Sequence, residues 1–235
     1  NKSFSECVNQ AAELAQSRGY TYLLFLTNDV TLETGSVLRM SAALDAQEVL
    51  AAVGPVHLRA SNPEEIYHGG GEFNSSKWQS SIRLGGQPKS SLPEDEITQV
   101  AWLDGGCILI RLNGFLPWRP EYGFYWEDVD WGLQNAIQKR CLAVCNKVFA
   151  IHDVSKTTGK YSLWKHYQIC RGRMLCAKMI LEGVPRNIAL EQLRVSGKMR
   201  MFSSFFSLKS RLRYAAYKDA MNDRGLPEHP MSDDD

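Results

Sequence analysis

No segment of this chain is apolar for long enough to span a bilayer, and no signal peptide is legible in it. Cysteine is sparse: six residues, at 7, 107, 141, 145, 170 and 176, are too few for a disulfide scaffold in 235 residues. Cys141 and Cys145 have no second Cys/His pair at zinc spacing, so reduced thiols are expected. An excess charge of one sign is missing too. The 27 Lys and Arg against 26 Asp and Glu leave a net +1, which gives no ground for a nucleic-acid partner. Together these absences lead to the expectation of a cytoplasmic protein. What is present is ordinary for a globular chain, and it suffices for one large domain or two small ones.

The densest chemistry lies at residues 122–134, Tyr-Gly-Phe-Tyr-Trp-Glu-Asp-Val-Asp-Trp-Gly-Leu-Gln. Glu127, Asp128 and Asp130 fall between Trp126 and Trp131. Acids so close repel one another, and burying them among aromatics is costly unless they meet a cation, a donor or a substrate proton. A helix start is the plain structural reading, because acids favour the positive N-terminal turn.

Taken in order, Ser3 and Glu6 form a capping box, with Phe4, Val8, Ala11, Ala12 and Ala15 on one helical face. Residues 20–26 are a continuous apolar run that reads as a strand buried on both faces, which predicts a mainly parallel sheet. Asp29 follows that strand, where open α/β sheets bind their ligands. A helix over 34–50 is expected to turn Val37, Leu38, Ser41, Leu44 and Val49 inward. Residues 60–93 are polar and rich in Gly, Ser and Pro, and read as an irregular excursion or lid. Strand character returns at 99–112, broken by Asp104-Gly105-Gly106, where something presses on the backbone. Another strand, 141–151, ends in His152-Asp153, and a long helix is expected over 161–181.

Near the end, Arg194, Lys198, Arg200, Lys209, Arg211 and Arg213 alternate with Met and Phe and no acid. Such a stretch suits either an anionic membrane surface or a helix docked on the domain with its basic face solvated. The domain expectation is a body at 1–182, a basic helical extension at 183–226 and a disordered tail at 227–235.

Several segments resemble the GT-A glycosyltransferases, in particular the inverting family 2 branch with rhamnosyltransferase-like and galactofuranosyltransferase-like members. Leu23-Leu24-Phe25-Leu26-Thr27-Asn28-Asp29-Val30 is similar to the family's metal-binding strand end. Trp102-Leu103-Asp104-Gly105-Gly106 with the strand after it is similar to its Trp-x-x-Gly-(Ala/Gly) element. Tyr125-Trp126-Glu127-Asp128-Val129-Asp130 resembles its Tyr-x-Glu-Asp-Val-Asp motif, and Ile151-His152 with Ser155 resembles its late Val-x-His…Ser element. The N-terminal match, Asn1 to Asn9, is the least specific. The likeness covers residues 1–179.

The resemblance implies a GT-A-like α/β fold and transfer of a sugar from a nucleotide-sugar donor to a saccharide or lipid-linked acceptor. It also implies a divalent cation, Mg2+ or Mn2+, bound by Asp29 and His152. Asp128 is the implied general base, with Glu127 and Asp130 tuning and positioning it. Asn1, Asn9 and Asn28 fall on the implied donor side, and Trp102, Asp104, Gly105, Gly106, Trp126 and Trp131 on the acceptor side.

The chain departs from the pattern in places. Thr27 stands where a full Asp-x-Asp motif has its first acid, Ser3 replaces a glycine, and 116–120 lacks the usual Phe-Asp-Glu. The family's first, nucleotide-reading strands precede the point where this sequence begins, so a fragment is expected. Two other classes fit part of the pattern. An aspartyl-phosphate enzyme would use Asp29 as nucleophile but wants a second Asp where Thr31 stands. A sugar-binding or membrane-associated scaffold would keep the fold without the chemistry, and the intact Glu127-Asp128-Val129-Asp130 run argues against it.

Overall fold

The computed structural model describes residues 3–153, 163–181, 190, 193 and 208–222. Helix α1 (Phe4–Ser17) opens with the expected capping box: the Ser3 amide donates to Glu6 at 2.6 Å and the Glu6 amide donates to the Ser3 hydroxyl at 3.3 Å. Strands β1 (Tyr22–Leu26) and β2 (Val30–Leu32) precede helix α2 (Ser36–Ala46). Strands β3 (Leu50–Arg59), β4 (Asn62–His68), β5 (Gly71–Asn74), β6 (Gln79–Ile82), β7 (Ile97–Val100) and β8 (Cys107–Arg111) follow. Helix α3 (Glu127–Ile137), strand β9 (Cys141–His152) and helices α4 (Leu163–Ile180) and α5 (Leu208–Met221) complete the described elements.

The main sheet runs β1-β8-β3-β9-β2, with β4 added to β3 and β7 to β9. Strands β1, β3 and β9 point one way, and β8 lies antiparallel between β1 and β3, so β3–β9 is the parallel pair of a mixed sheet. An apolar run reports burial and not strand direction, and β1 itself proves to be a half-buried end strand. Alternation along β8 divides the core. Ile108 and Ile110 pack with Val8 of α1 and Trp131 of α3, while Cys107 and Leu109 pack with Met40 and Leu44 of α2.

Helix α2 keeps its place but not its expected phase. Met40 and Leu44 are buried, each stabilising the fold by about 1.5–3 kcal/mol, whereas Leu38 is 76% exposed. The helix begins at Ser36, after Gly35 in the left-handed region, and the Ser36/Met40/Leu44 spacing sets the inner face.

Residues 60–93 are also more ordered than their composition suggests. They form β4 and a β5–β6 hairpin, and the glycines serve close packing. A Cβ on Gly71 would lie 2.0 Å from the Trp102 indole. The β3–β9 pairing shifts register twice, between Leu50 and Ala52 and again where Cys145 pairs with Pro55 and Phe149 with Val56, which leaves residues 146–148 as a bulge in β9. Asn146 anchors the bulge through Asp95 O at 2.8 Å and Thr98 Oγ1 at 2.9 Å.

Helix α5 docks on α4, burying Leu212, Ala216 and Ala220, and Tyr167 donates to Asp219 at 2.7 Å. Arg211 is exposed, so this part of the basic stretch is a docked helix with a solvated cation. Residues 194–207 and the tail lie outside the described residues. Among the described residues no helix is long and apolar enough to cross a membrane.

One position sets how closely α3 approaches the sheet. A Cβ on Gly132 would stand 2.1 Å from Ala101 O, a backbone atom that cannot yield without moving β7. Gly132→Ala is therefore expected to destabilise the protein by about 1–3 kcal/mol or more. Thermal unfolding would show this as a fall of roughly 2–4 °C per kcal/mol.

Candidate active site

Three histidines stand in a row across three neighbouring strands. His68 on β4 pairs with His57 on β3, and His57 pairs with Ala150 on β9. His152 lies two residues past Ala150, and side chains repeat at every second strand residue, so the three imidazoles leave the sheet on one face. Ring centroids are 6.2 Å apart for His57 and His68, and 5.2 Å for His57 and His152. Strand β2 extends the row, because Val30 pairs with His152 and brings Asp29 Oδ2 to 3.5 Å from His152 Nε2. Thr27 donates to the other Asp29 oxygen at 2.6 Å and fixes its orientation.

Asp104 closes over this row. The Thr27 amide donates to Gly106 O at 2.9 Å, which draws the turn before β8 down onto the β1–β2 loop. Asp104 Oδ1 accepts from the Gly106 amide at 2.7 Å. One ligand-type atom each from His57, Asp104 and His152 lie within 4.8 Å of one another. Gly106 has to be small here, since a Cβ would sit 2.8 Å from Asp104 Oδ1 and 3.2 Å from His152 Cε1.

Burial holds His57 and His68 in the neutral form, the latter with its pKa pushed down to about 4. His68 Nδ1 accepts from the Gly70 amide at 3.2 Å, so its proton sits on Nε2 and it has no lone pair to offer. His57 and His152 each keep a buried Nδ1 with no hydrogen-bond partner. Burial alone would raise the Asp104 carboxyl, but the surrounding histidines and the Gly106 amide outweigh it and hold it below the usual range. Orphaned imidazole nitrogens around an ionised carboxylate are a fit for a divalent cation.

The acid pair approaches from the other side. Tyr125 and Trp126, at φ 67° and 77°, form a left-handed turn that aims the start of α3 into the cleft. Bulky residues in that region cost about 1–3 kcal/mol each, and surrounding structure must hold them there. Helix α4 does so: Arg171 Nη1 donates to Glu121 O at 3.0 Å and Tyr122 O at 3.3 Å. Gly172 lies so close that a Cβ would be 2.6 Å from Tyr125 O. Burial, then the Asp104 charge, raises the Asp128 carboxyl to about 7. Burial, then Asp128, lifts Glu127 well above the usual carboxylate range. Both groups line one cleft of about 500 Å³ with Asp29, Asp104, His152 and Tyr67. A cavity of about 570 Å³ beside Leu116, Arg119 and the end of α4 has neither acid pair nor metal-type donors.

No protein-family model matches the chain, and no curated protein matches its sequence. Among solved structures, GalNAc-T7 with UDP, GalNAc and Mn2+ superposes with a TM-score of 0.55 at 13% identity, over 92% of this chain and 42% of that one. The fold is GT-A-like. The GT-A-like chain thus spans less than half the length of that neighbour. A197 from STIV overlaps with a TM-score of 0.41 at 16% identity, over 66% of this chain and 70% of that one, too loose a match to carry weight.

On this GT-A-like frame, Asp29, His152, Glu127, Asp128, Trp102, Asp104, Gly105, Gly106 and Trp126 all line the same cleft. Asp104 sits among the histidines. Trp131 is corrected outright. It is buried in the core, stacked on Trp118 at 5.0 Å with its indole nitrogen donating to Leu116 O, and has no face for a sugar. Asp130 points away from the cleft, fully buried against Arg119 at 2.9 Å and Gln134 at 2.7 Å. Asn9 clips the loop at Trp118 with two 2.8 Å hydrogen bonds and does not line the cleft. Asn28 is exposed in the β1–β2 turn, and Asn1 lies outside the described residues. Sequence reasoning missed His57, His68, Tyr67 and Lys165. His57 had a signal: it is a polar residue set within the apolar run of β3.

Proposed function

We propose that this chain carries out inverting, divalent-metal-dependent glycosyl transfer from a nucleotide sugar to a hydroxyl of a saccharide or lipid-linked acceptor. One observation carries the reading: a base-type carboxyl near pKa 7 lines the same cleft as Asp104 and His152 of the His/Asp cation set, with His57 buried behind them. His57, Asp104 and His152, flanked by Asp29, would hold the cation, and the imidazoles favour Mn2+ over Mg2+, which demands oxygen ligands. When bound, it supplies positive charge to offset that developing on the leaving diphosphate.

Asp128 takes the proton of the acceptor hydroxyl as its oxygen bonds to the anomeric carbon. The bond from that carbon to the diphosphate oxygen breaks, and its electron pair leaves with the diphosphate. Attack opposite the leaving group inverts the centre. Glu127, protonated through burial and its neighbour, acts as a hydrogen-bond donor beside the base. Tyr67, raised to about 12 by burial and the nearby acids, stays a phenol at the cleft wall.

The test is a panel of nucleotide sugars incubated with the protein and Mn2+, monitored for release of nucleoside diphosphate. Release that stops with EDTA and returns with excess Mn2+ is expected. Release that continues undiminished in chelator would overturn the cation set.

A further inference from the structure

The acids of the cleft outnumber its fixed cations. Asp29, Asp104 and Asp128 line it beside the protonated Glu127, and among the described lining residues Lys165 is the single Lys or Arg. A diphosphate brings further negative charge into that surrounding, more than one divalent ion offsets. Lys165 is the third residue of α4, and its Nζ stands 5.3 Å from the centroid of the Tyr125 ring. The electron-rich face of Tyr125, one residue before Trp126 and the acid pair, holds the ammonium at the cleft wall.

The helix that carries Lys165 is tied down at two places. Arg171 grips the turn at Glu121 and Tyr122, and Arg173 grips the hairpin, donating to Trp78 O at 2.6 Å and Lys77 O at 2.7 Å. Lys165 lies on the same helix, six residues before Arg171, so these ties set where its stem leaves α4.

We infer that Lys165 is the side chain that binds the diphosphate of the donor and of the released product, sharing its charge with the cation held by the His/Asp set. This rests on the glycosyl-transfer reading above. Inorganic pyrophosphate tests it without any contact to base, ribose or sugar. Pyrophosphate with Mn2+ would be titrated calorimetrically into the wild type, Lys165→Gln and Lys165→Arg, and Mn2+ alone would be followed by electron paramagnetic resonance.

The wild type should bind Mn2+-pyrophosphate, Lys165→Gln should bind it about tenfold or more weakly, and Lys165→Arg should stay within about threefold. Binding of Mn2+ alone should match in all three. Equal pyrophosphate affinity in Lys165→Gln and the wild type would overturn the inference and leave the glycosyl-transfer reading standing. A parallel loss of Mn2+ binding in Lys165→Gln would also overturn it, by marking a collapsed cleft. Failure of the wild type itself to bind Mn2+-pyrophosphate would remove both readings.

Discussion

Asp128→Asn should lower turnover by about 10²–10⁴-fold, the usual contribution of a positioned base, with donor KM nearly unchanged. The amide keeps the shape and can still accept the 2.8 Å hydrogen bond from the Val129 amide, so what is lost is the proton acceptor. The same substitution should make the protein more stable above neutral pH. In the fold this carboxyl titrates near 7, because burial and then Asp104 disfavour its charge, against about 3.9 in an unfolded chain. The protonated form is therefore the one the fold favours. That advantage is complete below pH 4 and is lost as pH rises through 7. At pH 8 the variant should melt above the wild type, and near pH 4 the difference should vanish. In the wild type, kcat/KM should rise about tenfold per pH unit and level off above 7, as the base ionises. A flat profile between pH 5 and 8 would exclude Asp128 as the base.

Asp104→Asn should weaken Mn2+ binding by on the order of 100-fold while leaving the fold intact. Loss of outer partners alone costs metal sites about 10–100-fold, and Asp104 belongs to the ligand-type cluster itself. The amide oxygen can still accept from the Gly106 amide, so the turn before β8 keeps its 2.7 Å contact. Removing the charge also removes the group that favours protonation of His57 and His68, and their imidazoles stay neutral. A Mn2+ titration by paramagnetic resonance, alongside a thermal melt, separates the two effects. Unchanged Mn2+ affinity would place the cation elsewhere.

The placement of Asp29, Asp128 and His152 at the cleft was more legible than that of the residues packed behind it. Asp29, Asp128 and His152 each sit at the edge of an element, where periodicity breaks and a polar residue has no packing reason to be. Trp131 and Asp130 belong to the same motif, yet helical spacing turns them toward Trp118 and Arg119, a rotation that composition does not reveal. In α2, Val37 and Leu38 are as apolar as Met40, so hydrophobicity alone does not choose the inner face. His57 and His68 were hidden for a different reason. They meet across the β3–β4 hairpin, and the parallel β3–β9 pairing that sets them beside His152 is a long-range event that local pattern does not encode.

The bulge at residues 146–148 has a bearing on how this chain can change length over time. It places three residues of β9 between partners that are adjacent on β3. An odd insertion reverses which residues of β9 share a face with those of β3, and His152 lies downstream of it. His152 is held on the site face by its own pairs, with Val30 of β2 and Arg59 of β3, so the second half of β9 keeps a register separate from the half paired with β7. A change of length at 146–148 would have to accommodate the buried Asn146 and Val148 on either side of the exposed Lys147.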